Sequence, residues 1–167
     1  MTDQPPITAE TKTARASDRE LVLTRLYDAE PSVLFRAWTD PVLLEQWFAP
    51  RPYTTAVAGM DVRPGGASLI VMKGPDGGEI PCPGVFLEVV ENRRLVMTDA
   101  YTAAWTPSEK PFMTTIVTFE PAAGGRTAYT ARVLHWSAED REAHENMGFH
   151  EGWGQVAEQL AEVVARL

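Results

Sequence analysis

The chain of 167 residues has one cysteine, three histidines and a deficit of basic side chains. Each shortage excludes something. A single thiol, Cys82, cannot form an internal disulfide, and no Cys/His cluster at metal-ligand spacing surrounds it. It reads as a small residue at a strand edge in "PCP" rather than a reactive thiol, because no base lies near it in sequence. Fifteen basic residues stand against 23 acidic ones, a net charge of −8. Nucleic acid and anionic membranes attract basic patches, so neither is expected as a partner. No apolar run approaches the roughly 20 residues of a membrane span. The opening "MTDQPPITAETKTARASD" lacks the apolar core of a signal peptide. It reads as a disordered polar arm over residues 1–18, with a short docking strand as the alternative. A cytoplasmic protein is expected, with one domain over 19–167. Nucleophile elbow, Walker motif and dinucleotide fingerprint are all missing. The stretches "RPGG" and "PDGGE" each join strand to strand, so they read as turns and not as phosphate cradles. No cofactor is expected.

Hydrophobic residues make up 44% of the chain, an ordinary globular share with length enough for a sizeable core. "LVLTRLY", Leu21–Tyr27, is rich in strand formers. Pro31 suits a first helical turn, and Val33, Leu34, Ala37 and Trp38 then fall on one helix face. Asp40-Pro41 ends that helix and starts another, "VLLEQWF", which Pro50 and Pro52 stop. From Tyr53 the period changes to two. "YTTAVAGMDV" and "ASLIVMKG" flank "RPGG", and "GPDGGE" marks a second hairpin turn. "GVFLEVVE" with "RLVMTDAY", and "FMTTIVTFEP" with "RTAYTARVLHW", complete the strands, with a longer loop between Tyr101 and Phe112. Pro81 and Pro83 suit a sheet edge or bulge. Alternation alone does not say whether Thr115, Val117 and Phe119 or Thr114, Ile116 and Thr118 point inward. Ser137 opens a near capping box and a helix that is expected to run unbroken to the C-terminus.

That last segment holds "HENMGFHEGWG". On a helix, Phe149, Trp153, Val156, Leu160, Val163 and Leu167 form one apolar stripe that must face the sheet. Gly152 falls on its flank, one turn after Gly148. Glycine inside a helix costs up to about 1 kcal/mol against alanine, so something tertiary must offset it. Close approach of helix and sheet is the plainer reason, and room for a ligand is the alternative. A metal site is not expected: His144 and His150 are six apart and project to different faces, and His135 lies on the preceding strand. The three histidines read as exposed or core-edge groups. Glu142, Glu145 and Asn146 either overhang solvent or line a cavity mouth, where they would orient the polar end of a ligand.

"TRLYDAEPSVLFRAWTDPVLLEQWFAP", "DVRPGG", "GVFLEVVENRRLVMTDAY", "VTFEP", "GGRTAYTARVLH" and "HEGWGQVAEQLAEVV" resemble the bacterial relatives of the activator of the ninety-kilodalton heat-shock protein's ATPase. These Aha-like proteins belong to the START-like (SRPBCC) helix-grip superfamily. The likeness covers about Leu21–Leu167, and Arg25, Asp40-Pro41, Trp47, Gly65-Gly66 and Gly152-Trp153 carry it together. It implies an α+β fold in which a curved antiparallel sheet of about seven strands wraps a long C-terminal helix, with two short helices after the first strand. It also implies a deep, mostly apolar cavity between sheet and helix. Superfamily members bind hydrophobic molecules, and some are cyclases or hydrolases.

The function expected is therefore non-enzymatic binding of a small hydrophobic or amphipathic ligand. Trp38, Trp47, Phe86, Tyr101, Trp105, Phe149, Gly152 and Trp153 are its candidate contacts. A cyclase or hydrolase on the same fold is the alternative, and an interaction module that contacts a chaperone in a stress response is a third reading. An enzyme would need convergent titratable groups in the cavity. Asp99, Arg132, Glu88, His135 and Arg25 are the available ones. Glu88 and Arg25 are expected to face solvent. Asp99, if buried, would need a partner such as Arg132.

Overall fold

Runs of period-two hydrophobicity become strands, and the polar gaps between them become turns. The computed structural model describes residues 6–167. Its strands are β1 (Lys12–Ser17), β2 (Glu20–Tyr27), β3 (Thr54–Met60), β4 (Ala67–Lys73), β5 (Glu79–Val90), β6 (Arg94–Thr98), β7 (Tyr101–Thr102), β8 (Thr106–Pro107), β9 (Met113–Ala122) and β10 (Arg126–His135). Eight of them form one antiparallel sheet in the order β1-β2-β10-β9-β6-β5-β4-β3, and β7 and β8 form a separate small hairpin. Helices α1 (Pro31–Thr39) and α2 (Pro41–Leu44) carry the chain from β2 to the far edge at β3. Pro at the start of each helix and Asp40, whose side chain accepts from the Val42 N–H, set their boundaries. Helices α3 (Ala138–Asn146) and α4 (Phe149–Val164) complete the fold.

Two expectations are corrected, the disordered arm and the unbroken C-terminal helix. The main sheet has eight strands. The extra one, β1, lies inside the polar arm for which the sequence predicts disorder, and it pairs with β2 from Lys12 opposite Thr24 to Ser17 opposite Glu20. Almost every β1 residue is exposed, so the strand is held by backbone pairing and leaves no apolar signature. Residues 1–5 of the arm lie outside the described residues. Finally, the C-terminal helix is not continuous. Ser137 caps α3 as expected, its hydroxyl accepting from the Asp140 N–H at 3.1 Å. Gly148 then turns left-handed, with φ of 95°, and the chain restarts as α4. Glycine stops a helix in this way because it has no Cβ to clash.

The inner face of the sheet is set by Thr115, Val117 and Phe119 on β9 and by Thr127, Tyr129, Ala131, Val133 and His135 on β10, all buried. In "DVRPGG" a Cβ on Gly66 would lie 1.9 Å from the Asp61 carbonyl oxygen, so the turn closes only over glycine.

Candidate functional site

Helix α4 lies across the inner face, and its nearest backbone neighbours are α1, α3, β1 and β2. Its stripe is buried at Phe149, Leu160 and Val163, half-buried at Trp153 and Val156, and exposed at Leu167, beyond the helix end. On the β2-β10-β9 side the core is closed. The Trp38 indole N–H donates to Tyr129 Oη at 3.0 Å, and the Trp47 indole N–H donates to the Ala37 carbonyl at 3.1 Å. Tyr27 Oη donates to the Ala157 carbonyl at 2.9 Å, and the Trp38 and Trp47 rings meet edge-on at 4.9 Å. Burial raises the hydroxyl pKa of Tyr27 and Tyr129 well above its usual value, so both stay neutral, Tyr27 as a donor and Tyr129 as an acceptor. Gln159 is buried on the same helix. Its amide donates to the carbonyls of Trp47 and Ala49, and its oxygen accepts from the Arg51 N–H. It pins the segment after α2 to α4.

The β3–β6 side differs. Val57, Met60, Ile70 and Met97, with Phe48 and Val62 from the connections, pack against the core but stay partly exposed. Phe86 is buried beneath them. A Cβ built on Gly152 or on Gly154 meets nothing within 4 Å. Close packing of helix on sheet therefore does not account for Gly152. Space lies beside it.

Of the eight candidate contacts, Trp38, Trp47, Phe86 and Phe149 are buried, Gly152 and Trp153 are partly covered, and Tyr101 and Trp105 are exposed. Tyr101 and Trp105 meet each other edge-on at 5.6 Å on the small hairpin, where Trp105 lies over Gly65.

The helix break gathers polar groups that the sequence scattered. Nδ1 and the backbone N–H of His135 both face the Arg19 carbonyl, at 2.9 and 2.8 Å, and Nε2 of His135 lies 2.9 Å from Nδ1 of His144. The carbonyl can only accept, so Nδ1 of His135 carries a proton and Nε2 accepts from His144 Nδ1–H. Both rings are buried, contrary to the core-edge expectation. Burial, with a smaller push from His135, lowers the His144 pKa to about 4. Outside this pair, Glu145 joins His150, Arg141 and Arg15. Its pKa falls to about 2, chiefly through the His150 hydrogen bond and then Arg141. His150 Nδ1 reaches Thr13 on β1 at 2.8 Å. His135 was traceable, since it continues the inward parity of Thr127, Tyr129, Ala131 and Val133. His144 was not, because a helix drawn straight through Gly148 misplaces its face.

Two open hollows lie at the surface. One, of about 380 Å³, is lined by Arg15, Arg141, Glu142, Glu145 and Asn146, which groups the three rim residues singled out in the sequence. The other, of about 340 Å³, lies among Glu30, Ser32, Asn92, Arg93 and Arg126. Neither is the deep apolar cavity that the resemblance implied. No group of three or more His, Cys, Asp or Glu placed to hold a metal occurs among the described residues.

The other acid and base candidates have structural partners. Asp99 Oδ1 accepts from the N–H groups of Phe112 and Met113 at 2.8 and 3.1 Å, so it closes the loop before β9. Arg132 pairs with Glu20 at 2.6 Å and not with Asp99. Glu88 pairs with Arg94 at the surface, as expected of a solvent-facing residue. Arg25 corrects its expectation: its side chain is only 15% exposed and reaches Glu158 of α4 at 2.5 Å. Burial raises the Cys82 pKa, which disfavours a reactive thiolate. No helix of the described residues is long and apolar enough to cross a membrane.

Comparisons with known proteins fit this architecture. A solved structure from Nitrosomonas europaea is 36% identical over 90% of this chain and 96% of that one, with a TM-score of 0.84. One from Mycobacterium smegmatis is 26% identical over 92% and 95%, with a TM-score of 0.78. One from Arthrobacter aurescens, 22% identical over 93% and 92%, shares the fold with a TM-score of 0.82. No curated protein matches. The family model described as Activator of Hsp90 ATPase homolog 1-like protein matches residues 28–165, and with its antiparallel sheet gripping a C-terminal helix the chain belongs to that family.

Proposed function

We propose that the protein is a cytoplasmic binder of a small hydrophobic or amphipathic molecule. The ligand lies in a trough between α4 and the β3–β6 half of the sheet. One observation carries this reading: nothing lies within 4 Å of where a Gly152 Cβ would sit, and apolar side chains on β3, β4 and β6 stay half-covered. Soluble proteins rarely leave contiguous apolar surface bare without a use for it. Trp153 and Gly152 form one wall of the trough, and Phe86 backs it. Trp38, Trp47 and Phe149 support the wall from the closed core. The test is Gly152→Leu, read by fluorescence of bound anilinonaphthalene sulfonate and by native mass spectrometry of material from the host. The substitution is expected to keep the fold and displace the probe. Unchanged probe binding in a folded variant would count against the trough.

A second reading, docking to a chaperone-type protein, draws on the exposed pair Tyr101 and Trp105. Exposed aromatic side chains serve interfaces well. Replacing both with serine would then abolish capture of the chaperone while probe binding in the trough persists.

A further inference from the structure

Three buried side-chain atoms have no hydrogen-bond partner among the described residues: Arg25 Nε, Ser108 Oγ and Thr55 Oγ1. Arg25 still spends Nη1 on Thr11 and Glu158. Ser108 follows the small hairpin, outside the main sheet. Only Thr55 stands on a strand of the open half. Burial on β3 alternates there: Thr55 and Val57 are partly covered, and Thr54, Ala56 and Ala58 are exposed. Val57 packs against the core, so Thr55 shares its inward side. In register Met72 stands opposite Thr55, and Ile70 opposite Val57. Ile80 follows opposite Met72. The hydroxyl therefore belongs to an apolar stretch on the trough's side of the sheet. A hydroxyl hidden from water and unpaired costs free energy, and a site that keeps one is poised for a partner from elsewhere. Unspent donors are rarer in folded proteins than under-used acceptors, so the proton is the part that needs a partner.

We infer that the Thr55 hydroxyl is the polar anchor of the trough and donates a hydrogen bond to the carbonyl oxygen of a neutral, otherwise apolar ligand. The inference rests on the trough reading and names its ligand class. Thr55 is itself only half-buried, and rotation about its Cα–Cβ bond carries the hydroxyl between staggered positions. A ligand thus need not find the oxygen where the empty protein keeps it. The surrounding charges select for neutrality. Glu45 Oε1 accepts from the Val57 N–H at 2.9 Å, which puts a carboxylate beside the strand two residues from Thr55. Lys73 stands opposite Thr54 and so belongs to the outer side. Arg51 is held by Glu162. A carboxylate ligand would meet a like charge and, among these residues, no free cation. Ketones, esters and lactones carry the acceptor without the charge.

The experiment compares acetylnaphthalene with isopropenylnaphthalene, which has a methylene group where the ketone has its oxygen. Both are titrated into the parent and into Thr55→Val, read by tryptophan fluorescence. Valine keeps the shape of threonine and removes the hydroxyl. It should weaken the ketone about fivefold, the worth of one neutral hydrogen bond, and leave the hydrocarbon unchanged. Thr55→Ser should restore the ketone. Without ligand, Thr55→Val should melt a few degrees higher, since a buried unpaired oxygen is gone. A lower melting point would mean that the hydroxyl has a partner within the fold, and the inference falls. Naphthoate should bind more weakly than the ketone, and equal binding overturns the neutral class. Should Thr55→Val fail to fold, the infrared carbonyl stretch of the ketone on the parent decides: it must drop below its value in an alkane, and an unshifted band overturns the anchor. If valine weakens neither probe, or both alike, the anchor is overturned and the trough stands. If neither probe binds the parent, the trough reading fails and takes the anchor with it.

Discussion

The two halves of the sheet are made of the same kinds of residue and are used differently. On β2, β10 and β9 most inward-facing side chains, from Leu23 and Tyr27 to Ala131, Val117 and Phe119, are buried. On β3 and β4 the equivalent positions, such as Val57 and Ile70, remain partly exposed. The cause is where α4 lies. Gln159 and the Arg25–Glu158 pair fasten it at either flank, and its nearest strands are β1 and β2. The sheet is wider than one helix can cover. Burial is thus concentrated in one half, and the other is the half where the proposed ligand would lie.

Truncations should separate the halves most sharply. Phe119→Ala, in the closed half, should cost about 3–5 kcal/mol in urea unfolding, since both transfer and cavity terms apply. Ile70→Ala, in the open half, should cost about 1 kcal/mol, because the side chain is already partly in water. Similar losses at both positions would dissolve the distinction. Gln159→Leu should cost about 2 kcal/mol by stranding the carbonyls of Trp47 and Ala49. It should also raise probe binding, as α4 loosens over the trough.

Acid should act on the junction between the halves. The folded His144 pKa is about 4, below its ordinary 6.5, so the unfolded chain binds more protons between those values. Its contribution is whole above pH 6.5 and is lost as pH falls towards 4. Glu145, held at about 2, contributes fully above 4.5 and loses that support as pH falls towards 2. Unfolding free energies measured from pH 7 to 4 should decline, and His144→Phe should flatten that slope. The glycines give effects of opposite sign, the smallest of all at Gly152. Gly148→Ala should cost about 1–3 kcal/mol because alanine is strained at a φ of 95°. Gly152→Ala should add about 0.5–1 kcal/mol, since helix propensity improves and nothing is struck.

The sequence discloses the closed half far better than the open one. Strand parity, the prolines at α1 and α2 and the stripe on α4 are local signals, and each survives in the structure. Coverage is not local. Nothing in "ASLIVMKG" says that Ile70 is half-bare while the comparable Val117 is not, because that depends on where a helix far along the chain comes to rest. The His135–His144 pair fails to show for a related reason. It forms only if the chain breaks at Gly148, and a stripe continued straight through that glycine hides the break. Arg25 looked solvent-facing because a charged residue on a strand usually is, until Glu158 is placed above it.

The pairing of β1 with β2 has a consequence for how molecules of this protein meet one another. β1 is polar, exposed and easily judged dispensable. Without it, β2 would become the rim of the sheet, presenting a row of free amides and carbonyls along "ELVLTRLY" to any passing chain. Such a rim is a template for strand-by-strand self-assembly. Trimming the first seventeen residues to tidy the N-terminus would bare that rim, and the trimmed protein should aggregate more readily.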